Sequence, residues 1–157
     1  MITGLAHAAI CVPDIDAATA WYCDVLGCRV LSPPFRIDGD AIAHDMGELV
    51  PAPVVLNGAI LGFGDSDHVL ELVEYPSTAP AVPDVSIVHT GITHVGLVCT
   101  DIEATRAELE TRGVVFLTAG IAKIAGLRTT WFRDPWTAVF ILMEKTRDAD
   151  RPYWRQY

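Results

Sequence analysis

The strongest constraint on the fold is an internal repeat. The stretch from Gly4 to Leu31, GLAHAAICVPDIDAATAWYCDVLGCRVL, returns in diverged form from Gly91 to Leu117, as GITHVGLVCTDIEATRAELETRGVVFL. The offset of 87 residues (94 minus 7) exceeds the periods of about 20 to 50 residues that are typical of solenoids. The repeat therefore predicts two half-domains that pack on each other. An ungapped overlay pairs identical residues, which include Gly4/Gly91, His7/His94, Asp14/Asp101 and Ile15/Ile102.

Each copy of the repeat predicts a strand, a helix and a second strand. In the first copy, residues 5–12 are apolar and are followed by Pro13, which favours a short strand with His7 on one face. Asp14 can cap the helix that follows, and Gly27 ends it before a second strand at 28–31. The second copy repeats the pattern, with strand 92–98, cap Asp101, helix 102–112, Gly113 and strand 114–117.

The segments after each repeat complete the two modules. The segment Ser32 to Asp67 is much longer than its counterpart and predicts a binding loop, with a helical turn over Ile42 to Leu49 and a strand over Val54 to Phe63. The next strand, HVLELVEY at 68–75, alternates so that Val69, Glu71, Val73 and Tyr75 share a face. Strands at 127–133 and 138–143 form the last hairpin. The prediction is a single domain with a first module at 4–75, a linker at 76–90, a second module at 91–144 and a tail at 145–157.

Composition and charge exclude several classes of partner. A net charge of -9 argues against nucleic acid and against anionic membranes, since both require clustered Lys or Arg. The apolar runs are shorter than the ~20 residues that a membrane span needs. Four cysteines without CxxC spacing favour free thiols in a reducing compartment. We therefore expect a cytoplasmic protein that binds neither nucleic acid nor a membrane.

Four segments of the chain together resemble the vicinal oxygen chelate superfamily, which includes glyoxalase I, methylmalonyl-CoA epimerase, extradiol dioxygenases and bleomycin-resistance proteins. They are GLAHAAICVPDIDAATAWYCDVLG, HVLELVEY, GITHVGLVCTDIEATRAELETRGV and FRDPWTAVFILME. The resemblance covers Gly4 to Glu144 and implies an α+β fold. In it, two paired βαβββ modules form an open, cleft-containing barrel, often within a homodimer.

The resemblance also implies a metal site. The histidine of the GLxH motif matches His7 and His94, and the carboxylate of the last strand of the first module matches Glu71. In the second module, Ile141 stands where glyoxalase I and the epimerase carry a second glutamate. Two imidazoles and one carboxylate would leave coordination positions open for two substrate oxygens, which is typical of catalytic rather than structural sites.

Other residues are candidates for proton transfer and substrate binding. Glu71 could act as the base, or the insertion could supply Asp45 or Glu48. Arg128 resembles an arginine on the same strand of epimerase-like members and could bind a carboxylate. Trp131 and Phe132 could line the cleft, although aromatic residues in strands mostly belong to the core.

Three functions follow from these residues. The first is a divalent-metal enzyme that isomerises, epimerises or eliminates on a small carbonyl substrate through a metal-stabilised enolate; the metal could be Fe, Mn, Zn, Ni or Co. The second is an Fe(II) ring-cleaving dioxygenase, which needs two histidines and one carboxylate. The third is a metal-free binding protein of the resistance type.

Overall fold

The computed structural model describes residues 1–66, 68–78, 86–124 and 126–145. The chain divides into two compact units, Met1–Val82 and Pro83–Tyr157. Residues 79–85 of the predicted linker and residues 146–157 of the predicted tail lie outside the described residues. The scheme of two modules in one domain stays a prediction.

The first unit has a mixed four-stranded sheet. Its strands lie in the order β1-β4-β3-β2, with β1 parallel to β4 and the other neighbours antiparallel. A parallel pair requires a crossover, and the helix that follows β1 begins it. The elements are β1 (His7–Cys11), α1 (Ile15–Leu26), β2 (Arg29–Ile37), α2 (Asp40–Met46), β3 (Leu56–Gly62) and β4 (Val69–Glu74).

The second unit repeats this topology. Its strands lie in the order β5-β9-β8-β6, again with the first strand parallel to the last, and a short extra strand, β7, pairs with β8. The predicted α+β class with two βαβββ modules is therefore confirmed. The elements are β5 (Val95–Cys99), α3 (Ile102–Thr111), β6 (Val115–Phe116), β7 (Ala122–Ile124), β8 (Leu127–Arg133) and β9 (Val139–Lys145).

The repeated aspartates cap the two long helices. Asp14 accepts a hydrogen bond from the backbone N–H of Ala17 at 2.9 Å, and Asp101 accepts one from Ala104 at the same distance. These bonds satisfy amides that have no partner within the helix. At the other end of α1, Gly27 adopts φ 73°, a left-handed conformation that glycine reaches without a steric penalty.

In each unit, a glutamate of the last strand also accepts a hydrogen bond from the N-terminus of the helix that the aspartate caps. Oε2 of Glu74 accepts from the backbone N–H of Ile15 at 3.2 Å, and Oε2 of Glu144 accepts from Ile102 at 3.0 Å. Negative charge is favourable at a helix N-terminus, where the peptide dipoles converge. These bonds place Glu74 on the α1 side of the first sheet and Glu144 on the α3 side of the second.

Each sheet therefore has a face that packs on its helix and an opposite face, called the distal face below. Alternation along β4 puts Leu70, Leu72 and Glu74 towards α1 and puts Glu71 on the distal face. Leu72 is fully buried, and so are Tyr22 of α1 and, in the second unit, Phe132 and Phe140. The core of each unit lies on the helix side.

Two elements differ from the sequence prediction. Strand β2 continues to Ile37, whereas the predicted strand ended at Leu31 and the predicted binding loop began at Ser32. It lies at the edge of its sheet and its register shifts between Ser32 and Phe35, and prolines are tolerated at edges and bulges. Strand β7 occupies a stretch that the sequence predicted as loop.

Candidate metal site

The structure brings His7 and Glu71 together on the distal face of the first unit. Strands β1 and β4 run parallel with Ala9 opposite Glu71, and His7 lies two residues before Ala9 on the same face. Nε2 of His7 is 3.1 Å from Oε2 of Glu71. The resemblance implied that these two side chains lie together, and their binding of a metal ion stays a prediction.

The surroundings of Glu71 explain why it needs a partner. Its side chain is 21% exposed, against 47% for His7, and Val69 and Val73 flank it on the same face. A carboxylate that loses this much water must be paired or bound to a cation. His7 is the pairing group in this structure.

The distance between the two side chains also suits a shared cation. A nitrogen and an oxygen ligand that each lie about 2.1 Å from a metal ion, at a right angle, are about 3 Å apart. The observed 3.1 Å between Nε2 of His7 and Oε2 of Glu71 matches this spacing. The two residues therefore fit as adjacent ligands. Among the described residues, no group of three or more His, Cys, Asp or Glu side chains is arranged to hold a metal ion.

His94 belongs to the second unit and immediately precedes β5. Its Nδ1 is 2.7 Å from Oγ1 of Thr93, and its ring meets the ring of Trp131 edge-on, with 4.8 Å between centroids and an interplanar angle of 72°. The imidazole is exposed. Its role as a metal ligand stays a prediction.

The register of β9 places Ile141 at the position that Glu71 holds in the first unit. Ala9 pairs with Glu71 in the first sheet, and Gly96 pairs with Ile141 in the second. Ala9 lies two residues after His7, and Gly96 lies two residues after His94. The second unit thus carries an apolar side chain where the first carries the carboxylate.

Of the three predicted substrate-binding residues, Trp131 shares the distal face with Ile141, its partner across β8 and β9. Phe132 lies on the opposite face. It is fully buried and stacks on Phe140 with 5.1 Å between ring centroids. Consecutive strand residues point to opposite faces, so Trp131 and Phe132 cannot line the same side of the sheet. The structure therefore places Phe132 in the core and not at a ligand.

Arg128 is also on the helix side, four residues before Phe132. Its Nη1 donates to Oε2 of Glu144 at 3.0 Å, and its Nη2 pairs with Glu103 of α3. Two resident carboxylates therefore engage the guanidinium that was predicted to bind a substrate carboxylate. This placement corrects the prediction, because alternation along β8 directs Arg128 away from the face of Trp131.

The two acidic residues of the insertion lie apart from this contact. Asp45 is in α2 and Glu48 follows it, and both side chains are exposed. No hydrogen bond or ion pair between described residues joins either of them to His7 or Glu71. Their predicted role as a base stays a prediction.

The structure adds Tyr75 and Cys11 to the distal face of the first unit. Burial raises the pKa of Tyr75 above its usual value, and the nearby Cys11 and Glu71 raise it further. Burial likewise raises the pKa of Cys11, with a smaller contribution from Glu74. Both side chains therefore remain protonated at neutral pH. The alternation of HVLELVEY had already put Tyr75 on the face of Glu71, but an aromatic residue at a strand end carries no functional signal by itself.

Comparison with known proteins identifies the class. The sequence profile of the Glyoxalase/Bleomycin resistance protein/Dioxygenase superfamily matches residues 6–132. The chain belongs to this superfamily. An uncharacterized protein of Escherichia coli K12, YaeR, is 29% identical over 131 residues, which are 82% of this chain and 86% of YaeR.

Solved structures confirm the fold. A glyoxalase family protein from Bacillus cereus has a TM-score of 0.79 at 15% identity, over 94% of this chain and 97% of that chain. A mutant of the fosfomycin resistance protein FosX from Listeria monocytogenes, complexed with Mn(II) and a dihydroxypropylphosphonic acid, has a TM-score of 0.60 at 12% identity, over 96% of this chain and 97% of that chain.

Within the described ranges, no helix is long and apolar enough to cross a membrane.

Proposed function

We propose that this protein is a divalent-metal-dependent enzyme of the vicinal oxygen chelate type, which isomerises, epimerises or eliminates on a small carbonyl substrate. The observation that carries the proposal is the 3.1 Å separation of His7 Nε2 and Glu71 Oε2 on the distal face. The repeat that supplies His7 supplies His94 at the equivalent position of the second unit. Metal-binding members of the superfamily take ligands from these positions.

His7 and Glu71 would hold the cation, and His94 is the third ligand that we propose. A bound divalent cation supplies Lewis acidity, which stabilises negative charge on an oxygen next to the reacting carbon. The carboxylate of Glu71 is also a candidate for accepting a proton from that carbon. Tyr75 is a phenol that is protonated at neutral pH, and it could donate a hydrogen bond to a substrate oxygen on the same face.

A structural relative in the superfamily supports the proposal that this fold can hold a metal ion. FosX shares the fold and was crystallised with Mn(II), so the fold accommodates a divalent cation. The reaction of this chain is our proposal, and so are its homodimeric state and its place in the cytoplasm.

A second candidate is an Fe(II) dioxygenase. It is favoured by Ile141, because the loss of a fourth protein ligand leaves two histidines and one carboxylate, the set that non-haem iron oxygenases use. Its carboxylate would come from the first unit, whereas ring-cleaving members usually place it with the second histidine.

Isotope exchange distinguishes the two reactions. We would load the protein with Mn²⁺, Ni²⁺, Zn²⁺, Co²⁺ or Fe²⁺ and incubate it in D₂O with a panel of small 2-oxo and 2-hydroxy carbonyl compounds. The proposed function predicts metal-dependent deuterium incorporation next to the carbonyl that Glu71→Gln abolishes and His68→Ala leaves unchanged. Oxygen uptake with catechols, without such exchange, would support the dioxygenase instead. Failure to bind any of the metals would support a metal-free binding protein.

A further inference from the structure

We infer that Thr93 and Trp131 are positioning residues for His94, and that they present its Nε2 lone pair to a ligand. The inference rests on the proposed function, since a cation is the ligand in question. It concerns contacts within the second unit alone. Neither residue is expected to touch the cation or the substrate.

The first contact engages one of the two ring nitrogens of His94. Oγ1 of Thr93 lies 2.7 Å from Nδ1, so this nitrogen is already engaged. A neutral imidazole carries its proton on one nitrogen and a lone pair on the other. If the Nδ1–H donates to the Thr93 hydroxyl, the lone pair is on Nε2, which has no hydrogen-bond partner among the described residues. Metal-binding histidines usually donate their second N–H to an oxygen in this way.

The second contact restricts rotation of the ring. The indole of Trp131 meets the His94 imidazole edge-on at 4.8 Å. The backbone of Trp131 is held in the sheet: its carbonyl accepts from the backbone N–H of Leu117 at 2.7 Å, and its backbone N–H donates to Oγ1 of Thr118 at 3.2 Å. The indole therefore extends from a fixed strand position to the imidazole.

The first unit holds His7 differently, so the proposed roles of Thr93 and Trp131 are specific to His94. Ala6 precedes His7 and offers no hydroxyl, and Glu71 contacts Nε2 directly. In the second unit Ile141 removes the equivalent carboxylate. His94 thus depends on Thr93 and Trp131 for the orientation that a carboxylate helps to set for His7.

The test compares Thr93→Val, which keeps the shape and removes the hydroxyl, with Thr93→Ser, which keeps the hydroxyl. Thr100→Val, beyond the other end of β5, is the matched control. Imidazole ¹⁵N NMR of the metal-free protein at pH 8, assigned with His94→Ala, reports which nitrogen carries the proton. Competition with a fluorescent chelator measures the affinity for Zn²⁺.

We expect the Nδ1–H form of His94 in the wild type and in Thr93→Ser, and a shift towards Nε2–H in Thr93→Val with the His7 signals unchanged. Zn²⁺ affinity should fall about 10- to 100-fold in Thr93→Val, the usual cost of removing an outer-shell partner, and stay near wild type in the other two variants. Trp131→Leu should lower the affinity without changing the protonated nitrogen.

A wild type whose His94 is mainly Nε2–H would overturn the assignment of Thr93, and so would an unchanged Zn²⁺ affinity in Thr93→Val. An unchanged affinity in Trp131→Leu would overturn the assignment of Trp131. If the wild type binds no Zn²⁺, the proposed function fails for this metal, and the role of Trp131 fails with it. The NMR result still decides whether Thr93 sets the tautomer of His94.

Discussion

Ile141 in the second unit holds the register position that Glu71 holds in the first. Glu71 lies opposite Ala9, and Ile141 lies opposite Gly96, each two residues beyond the repeated histidine. At this register position the second unit therefore carries an apolar side chain where the first carries a carboxylate. This difference gives the first prediction.

Ile141→Glu should raise the affinity for a divalent cation, by at least about 10-fold, because it adds a carboxylate at the same register position relative to His94 that Glu71 has relative to His7. Titration calorimetry with Mn²⁺ measures the change. Val115→Glu adds the same charge at an exposed position of β6 and should leave the affinity near wild type. Equal affinities in the two variants would mean that Ile141 does not face the cation.

Removal of the Glu144 carboxylate should destabilise the second unit. Glu144 accepts from the N–H of Ile102 and from Arg128, whose Nε is already buried without a hydrogen-bond partner among the described residues. We expect Glu144→Ala to lower the free energy of unfolding by about 2 to 3 kcal/mol. Glu108→Ala, which removes an exposed pair with Arg112, should cost less than about 0.5 kcal/mol. Urea denaturation measures both, and similar costs would contradict the capping role.

Two glycines of β3 test how closely β2 packs on it. A Cβ at Gly58 would lie 2.7 Å from Cζ of Phe35, whereas one at Gly62 would meet the flexible end of Leu31 at 2.9 Å. Gly58→Ala should therefore destabilise the protein by about 1 to 3 kcal/mol, and Gly62→Ala by less. Combining Gly58→Ala with Phe35→Ala should cost clearly less than the sum of the two single changes. Additive costs in the denaturation experiment would show that the ring does not limit this position.

Cys28 should make stability depend on alkaline pH. Burial, with a smaller contribution from Cys23, raises the pKa of its thiol from 9.0 to about 12. Below pH 9 the thiol of Cys28 is protonated in both the folded and the unfolded chain. Between pH 9 and 12 the unfolded chain loses this proton and the folded chain keeps it, so the free energy of unfolding falls with rising pH, by at most about 1.4 kcal/mol per pH unit.

Urea denaturation of wild type and Cys28→Ala under reducing conditions, from pH 8 to 10.5, isolates this contribution. The wild type should lose stability more steeply above pH 9 than the variant does. Parallel curves would contradict the shift, because the remaining titrating groups are common to both proteins.

The sequence was sufficient for the repeated order of helices and strands because the two copies carry the same helix caps and helix-ending glycines, and the resemblance supplied the βαβββ architecture. Asp14 and Asp101 cap the helices as predicted, and β8 has the bounds that its pattern indicated. The course of β2 could not be predicted, since Pro33 and Pro34 favour a loop unless the strand lies at a sheet edge, and edge position is a property of the assembled sheet.

The candidate site was predictable where alternation decided the outcome. His7 and Glu71 each follow the period of their own strand, and the parallel pairing of β1 with β4 brings them together. Resemblance and aromatic character did not indicate the faces of Arg128 and Phe132, whereas alternation along β8 separates both from Trp131. The support of His94 by Thr93 depends on side-chain rotamers, which no sequence pattern reports.

The most direct test of the account is the metal content of protein purified without chelators, compared with His7→Ala, Glu71→Ala and the matched control His68→Ala. We predict about one divalent ion per chain in the wild type and in His68→Ala, with content and affinity at least 10-fold lower in His7→Ala and Glu71→Ala. Circular dichroism and urea denaturation verify that each variant is folded. Equal metal content in all four proteins, or a wild type that retains and rebinds no metal, would contradict the claim that His7 and Glu71 share a cation.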